Sequence, residues 1–270
     1  MNPGNNGLPL ADVVETFVKV FKQLEHDGYF QNSFGTPYNN YKDAKIRDVE
    51  IEIELQIHKK NIWPIQNEFE HYSEDDFFDM IEFLHEHISK PVEGTPYKDA
   101  WFDEEETYWR IFDKLQGQTE FRDKINLILS AYENEFELSP DGEVLHKPED
   151  GLVPVVSAKI PSSDSKIVDK VNSAKLLYQR HKSSLEDRRH AVRDLIDVLE
   201  GLRPQIKVVF NTKDENDLFN IANNFGLRHN NEKQKTDYDQ ATWLGWMFYF
   251  YLITIHVVLR KINESEKENA

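Results

Sequence analysis

Apolar residues recur at intervals of three and four through most of this chain, which is the spacing of one buried helical face. Val13, Phe17, Val20, Phe21 and Leu24 form the first such face, with Asp12 placed to cap it and Gly28 to end it. The aromatic connection GYFQNSFG follows, and then the pattern changes. Val49, Ile51, Ile53, Leu55 and Ile57 alternate strictly with polar residues, the signature of a half-buried strand. Yet acids gather at the start of that segment and His58, Lys59 and Lys60 at its end, as a helix dipole favours, and Glu is a better helix former than strand former. A helix is the favoured reading there, with the strand as its competitor.

Ser73 and Asp76 have capping-box spacing before Phe77, Phe78, Ile81, Leu84 and Ile88, and Pro91 stops that helix. The acid run Asp103 to Glu106 reads as a solvated helix start leading towards Trp109, Ile111 and Phe112. Phe121, Ile125, Ile128 and Leu129 mark a further amphipathic helix. The Pro-Asp-Gly of FELSPDGEVLHKP, between two short β-capable runs, predicts a small hairpin at about residues 136 to 146.

Residues 151 to 163 gather Pro154, Pro161 and several serines, as a linker or lid would. Beyond it Ser162 or Ser163 can cap a helix faced by Ile167, Val171, Ala174 and Tyr178. Ser184 with Asp187 repeats the capping box for Val192, Leu195, Ile196, Leu199 and Leu202, as far as Pro204. Leu218, Phe219, Ile221, Ala222 and Phe225 suggest a third helix before Gly226. The fourth runs from Gln240 to Leu259 without a charged residue, long enough to cross a bilayer as a tail anchor. Thr254 and His256 within it favour instead a helix buried on every side by its own domain, since a histidine in lipid is costly. The expectation is a mainly α protein: a helical N-terminal domain with a small hairpin over residues 1 to 150, a linker over 151 to 163, and an antiparallel four-helix bundle over 164 to 270.

Length supports two domains, since the chain has 270 residues. Cysteine is absent, which excludes disulfides, thiolate metal sites and cysteine nucleophiles, and the short Asn-rich start is no secretory leader; both fit a cytoplasmic location. The net charge of −17 is unevenly shared: residues 1 to 150 hold 14 Lys+Arg against 33 Asp+Glu, a balance of −19, and residues 151 to 270 hold 18 against 16, a balance of +2. An acidic half repels phosphate, so RNA or nucleotide chemistry belongs to the second half. There is no P-loop, nucleophile elbow or Rossmann fingerprint. Glu68 with His71 and Glu82 with His85 have the Glu-x-x-His spacing of di-iron bundles, but that site needs two further inward glutamates, so no metal and no cofactor are expected.

In the first half, GYFQNSFG, NIWPI, DDFFDMIEFLHEHISKP, FRDKINLIL and YENEFELSPDGEV, in that order, resemble an N-terminal domain of the abortive-infection J type from bacterial phage defence. In the second half, RRHAVRDLIDVLE, DLFNIANNFGLRHNNEKQKTDYD and the final aromatic helix resemble a HEPN (higher eukaryotes and prokaryotes nucleotide-binding) domain. The resemblance implies a bundle that homodimerises and, in many members, cuts RNA without a metal, using an Arg followed after four to six residues by a His. Arg228 matches that arginine and His229 the polar residue beside it, while Glu232, Lys233 and Gln234 stand in the window of the usual histidine. It also implies an N-terminal domain that restrains the bundle or senses a phage-derived trigger.

The residues themselves fit such chemistry. Metal-free RNA cleavage needs a base at the 2′-hydroxyl, an acid at the leaving oxygen and positive charge on the phosphate. His229 supplies an acid or base, Arg228 a phosphate fork, and Lys233, Asn230 and Asn231 further contacts to RNA. Arg188 and Arg189, with His190 and Arg193, make the densest cationic cluster and can meet RNA phosphates or simply form an exposed basic helix face. The competing reading of Arg228 and His229 is structural, as caps on the last carbonyls of the third helix. A catalytically inactive dimerisation or RNA-binding scaffold is the alternative to the ribonuclease.

Overall fold

A computed structural model describes residues 7 to 36, 44 to 98, 105 to 210 and 239 to 268. Among the described residues the fold is mainly α with two small antiparallel strand pairs, and the chain divides into two compact units, residues 1–146 and 147–270. Each unit has its own apolar core.

In the first unit, α1 (Leu10–His26) buries Val13, Val14, Phe17, Val18, Phe21 and Leu24 on one face. Gly28, at φ +85°, turns the chain out of it. A Cβ there would come within 2.4 Å of the Trp109 ring, so glycine serves both the left-handed backbone and the close approach of that indole. After the single turn α2 (Gln31–Phe34), the alternating segment is helical, as α3 (Val49–Ile57). Asp48 caps it, accepting from Ile51 N at 3.1 Å, and His58 ends it in the left-handed region at φ 57°. A period-two pattern wound into a helix scatters its apolar residues around the axis. Accordingly Ile53 is buried while Ile51 and Leu55 face outward.

A short helix, α4 (Ile65–Glu68), and a 3-10 turn over Phe69–His71 precede α5 (Glu74–His87). Both halves of the Ser73/Asp76 capping box are formed on α5. Lys59 reaches across to α5, with Nζ 2.7 Å from Asp76 and 2.9 Å from Asp79, and the Asp79 side chain is only 1 % exposed.

The expectation of a helix beginning at the acid run is corrected. Glu105–Asp113 is a strand, β2, paired antiparallel with β1 (Lys90–Lys98). Thr107, Tyr108, Trp109, Ile111 and Phe112 are β-branched or aromatic and suit a pleated surface better than the acids before them suit a helix start. The partner strand carries Pro91, Gly94 and Pro96, which conceal it in the sequence but are tolerated in a two-stranded ribbon. Next, α6 (Lys114–Ser130) buries Phe121, Ile125, Ile128 and Leu129. The hairpin expected at 136 to 146 is present as β3 (Phe136–Leu138) and β4 (Val144–His146). Asn126 of α6 bonds both backbone groups of Leu138, and Glu82 accepts from Val144 N at 2.7 Å.

In the second unit the expected linker contains a helical turn, α7 (Val153–Ser157), with Pro154 in its first turn; Val156 and Ile160 nearby are buried, so this stretch is part of the core. The cap of α8 (Ser165–Gln179) is Asp164, which accepts from Lys166 N, and neither Ser162 nor Ser163 takes that role. The Ser184/Asp187 box starts α9 (Leu185–Gly201) as expected. Pro204 then sits in the first turn of α10 (Arg203–Val209), where its missing N–H costs nothing. The expected third helix before Gly226 lies outside the described residues.

The terminal helix, α11 (Gln240–Glu268), is longer than its uncharged run. By length and composition it could cross a membrane. It packs against α9 and α10, and Leu244, Met247, Phe248, Tyr251, Leu252 and Ile255 are fully buried. Burial on every side is corrected: Trp246, Ile253 and Val257 are 45 %, 44 % and 48 % exposed on the other face. Thr254 donates to Phe250 O at 2.7 Å, whereas the Nε2 of His256 is buried without a hydrogen-bond partner. Burial, with Arg260 and Lys175 nearby, holds that imidazole below its ordinary pKa and hence neutral.

Candidate functional site

Of the residues the sequence assigns to RNA chemistry, Arg228, His229, Asn230, Asn231 and Lys233 lie outside the described residues. Arg188 and Arg189 are in the first turns of α9, held there by the Ser184/Asp187 cap. The end of α8 and the start of α11 meet the same place.

The two arginines are held differently. Arg189 donates from Nη2 to the Gln240 side chain at 3.3 Å, and its Nε is 3.6 Å from the Glu186 carboxylate. His190 is 3.2 Å and Arg193 4.0 Å from that same carboxylate, so Glu186 gathers three of the four groups in the cluster. Among the described residues, no carboxylate pairs with Arg188. Its guanidinium lies 5.5 Å from the centre of the Tyr178 ring, and its Nε is enclosed without a hydrogen-bond partner. On the helix side, Tyr178 stacks on Phe248 of α11 at 3.9 Å with an interplanar angle of 9°. A cation over an aromatic face is attracted by the ring quadrupole, which fixes Arg188 without neutralising it.

The local sequence explains why these groups converge. Gly245 leaves α11 bare beside Tyr178, whose hydroxyl would be 3.2 Å from a Cβ at that position. Tyr249 meets the Tyr178 ring edge-on at 6.4 Å. Burial pushes the Tyr249 hydroxyl up to about 12 and raises that of Tyr178 also, the latter offset in part by Arg188, so both stay protonated as donors. Gln240, bonded to Arg189, is one residue past Asp239, where the described chain resumes after 211 to 238.

This surface can offer guanidinium donors to a phosphate, one of the two components of sequence-tolerant nucleic-acid binding, while the Tyr178 ring is already engaged by Phe248 and Arg188. Acid/base chemistry is less evident among the described residues. His190 is turned to Glu186, and His256 is buried some 24 Å along α11 from Gln240 at about 1.5 Å per residue. Tyr178, Tyr249 and Gln240 were not singled out by the sequence as site residues. Tyr178 falls on the apolar repeat of its helix, and nothing in that repeat distinguishes a core ring from one supporting a cation.

Of the two Glu-x-x-His pairs, Glu82 with His85 has a structural use. Glu82 holds the β4 backbone, and the His85 ring lies beneath Gly142, where a Cβ would be 2.3 Å from Nδ1. No family model, no curated protein and no solved structure matches this chain.

Proposed function

We propose that the second unit is an RNA-acting bundle of the HEPN type, a metal-independent endoribonuclease restrained or triggered by the acidic first unit in bacterial phage defence. The observation that carries the reading is Arg188, a cation with no acidic partner among the described residues, supported on Tyr178 in the same unit to which the sequence assigns Arg228 and His229. In this reading Arg188 and Arg189 position the RNA backbone. Arg228 stabilises the charge that develops on phosphorus, and His229 moves a proton at the 2′-hydroxyl or the leaving oxygen. Two copies of the bundle would supply a symmetric acid/base pair.

The test is cleavage of a fluorescent RNA in EDTA by the full chain. Activity lost in both Arg228→Ala and His229→Ala, with RNA affinity reduced in Arg188→Ala, is the expected result. Cleavage that persists in both of the former excludes this site.

A second reading, the inactive dimerisation scaffold, draws on α11. Trp243, Trp246, Phe250, Ile253 and Val257 follow steps of three, four, three and four, the seam by which one helix packs on another. Four of these side chains are more than a third exposed, and a second copy of α11 is the partner that such a repeat fits. The scaffold predicts intact RNA together with a dimer in sedimentation that Ile253→Glu with Val257→Glu converts to monomer; a monomeric wild type excludes it.

A further inference from the structure

The first unit contains a cavity of about 730 Å³ between the end of α1, α2, the start of α3 and strand β2. That volume falls within the range of small-molecule pockets, about 300–1,000 Å³. None of the residues discussed above for RNA lines it.

Its walls are aromatic and rigidly held. Trp63 meets Phe34 edge-on at 5.7 Å and Phe21 at 6.0 Å, and Phe34 in turn stacks on Phe30 at 5.5 Å with an interplanar angle of 7°. Trp109 is fixed from below by the bare Gly28, and its backbone N–H donates to the Gln31 side chain at 3.3 Å. Thr36 also lines the space; it is 6 % exposed, and its hydroxyl has no hydrogen-bond partner.

The charges at the mouth give the sign of the ligand. Glu25 and Asp27 line the cavity, and among the described residues each accepts a neutral amide hydrogen bond, from Gln66 at 3.0 Å and Gln23 at 2.9 Å. Burial pushes the Glu25 carboxyl up, against the opposing effects of Gln66 and Lys22, as expected of a carboxylate lacking a close cation. Among the described residues of the lining, Arg47 is the one lysine or arginine, set against the two carboxylates Glu25 and Asp27. The surrounding half of the chain, at −19 over residues 1 to 150, draws cations in and turns phosphates away.

We propose that this cavity binds an organic cation, with a guanidinium or alkylated ammonium head held against the faces of Trp63 and Trp109 and paired with Glu25 and Asp27. Aromatic rings joined to carboxylates are the chemistry by which such heads are recognised. The Thr36 hydroxyl offers a hydrogen bond to the body of the ligand, and Arg47 can take a carbonyl or carboxylate at its other end. The same head can belong to a free small molecule or to an arginine side chain of a partner protein.

The experiment titrates the full chain, labelled with ¹⁵N, and follows the indole N–H resonances of Trp63 and Trp109, assigned with single Trp→Phe variants. The probes are tetramethylammonium, N-acetyl-arginine amide, a seven-residue peptide with a central arginine, and adenosine, at constant ionic strength. Saturable shifts of these two indoles with a cationic probe, weakened at least tenfold in Glu25→Gln/Asp27→Asn and little changed in Glu137→Gln, are expected. Tighter binding of the peptide than of the amide assigns the ligand to a protein; equal binding assigns it to a free cation. The proposal is overturned if adenosine shifts the indoles and no cation does, or if the acidic double variant, with an unaltered thermal melt, binds as the wild type does. Thr36→Val is a second, near-isosteric variant, expected to weaken binding while leaving the indole resonances of the free protein in place.

Discussion

Single side chains fix the folded state at several points where backbone geometry and packing agree. Gly142 is the sharpest: φ is +89°, and the His85 ring occupies the space of a Cβ. Gly142→Ala is expected to cost about 1–3 kcal/mol, from left-handed strain and displacement of that ring, read as a lower urea midpoint at unchanged m-value. His85, His87 and His256 share a second property. Burial holds each imidazole below its ordinary pKa. The unfolded chain takes up these protons near pH 6.5 and the folded protein resists. Stability is thus full above about pH 6.5 and falls as the pH drops towards the folded values. Asp76 adds a later loss: burial alone would raise its pKa, but Lys59 and Ser73 outweigh burial and hold it low, so its contribution fades below the usual carboxylate range, about pH 4. Urea midpoints from pH 8 to 3 should decline in both ranges, and His87→Gln should flatten the upper one. A midpoint constant between pH 7 and 5 would contradict the account.

At the scale of elements, the ion pair of Lys59 with Asp76 and Asp79 joins the segment after α3 to α5. Because the Asp79 side chain is 1 % exposed, Lys59→Met removes a cation from a carboxylate that water barely reaches. A loss of about 3 kcal/mol is expected, the low end for breaking a buried pair, since Lys59 itself is 24 % exposed; thermal melting checks it. Much of this layer was legible in the sequence. Both capping boxes, the amphipathic faces of α1, α5, α6, α8 and α9, and the hairpin near residue 140 follow from local chemistry that the fold does not override. Even α3 was decided by local chemistry, through Asp48 and the charges at its ends. What stayed hidden depended on distant partners. The strand β2 is defined by pairing with a proline-bearing segment, and the outward face of α11 is as apolar in sequence as the inward one. Tyr178 was read as core because only the arrival of Arg188 across from α9 gives it a second role.

For the whole molecule, charge and chemistry are divided between two units. The first is acidic and holds an aromatic cavity whose mouth suits cations; the second holds an arginine pair supported on Tyr178 and Gln240. If Arg188 contacts RNA phosphate, its removal should weaken binding of unrelated single strands to a similar degree and lower the salt slope by about 0.7. The central claim is that the second unit cuts RNA with Arg228 and His229 and without a metal. Its most direct test is a single-turnover cleavage assay of the full chain in EDTA beside the Arg228→Ala and His229→Ala variants. The account predicts cleavage by the wild type and none above background by either variant; wild-type RNA left intact by a dimeric, folded chain, or cleavage retained in both variants, would contradict it.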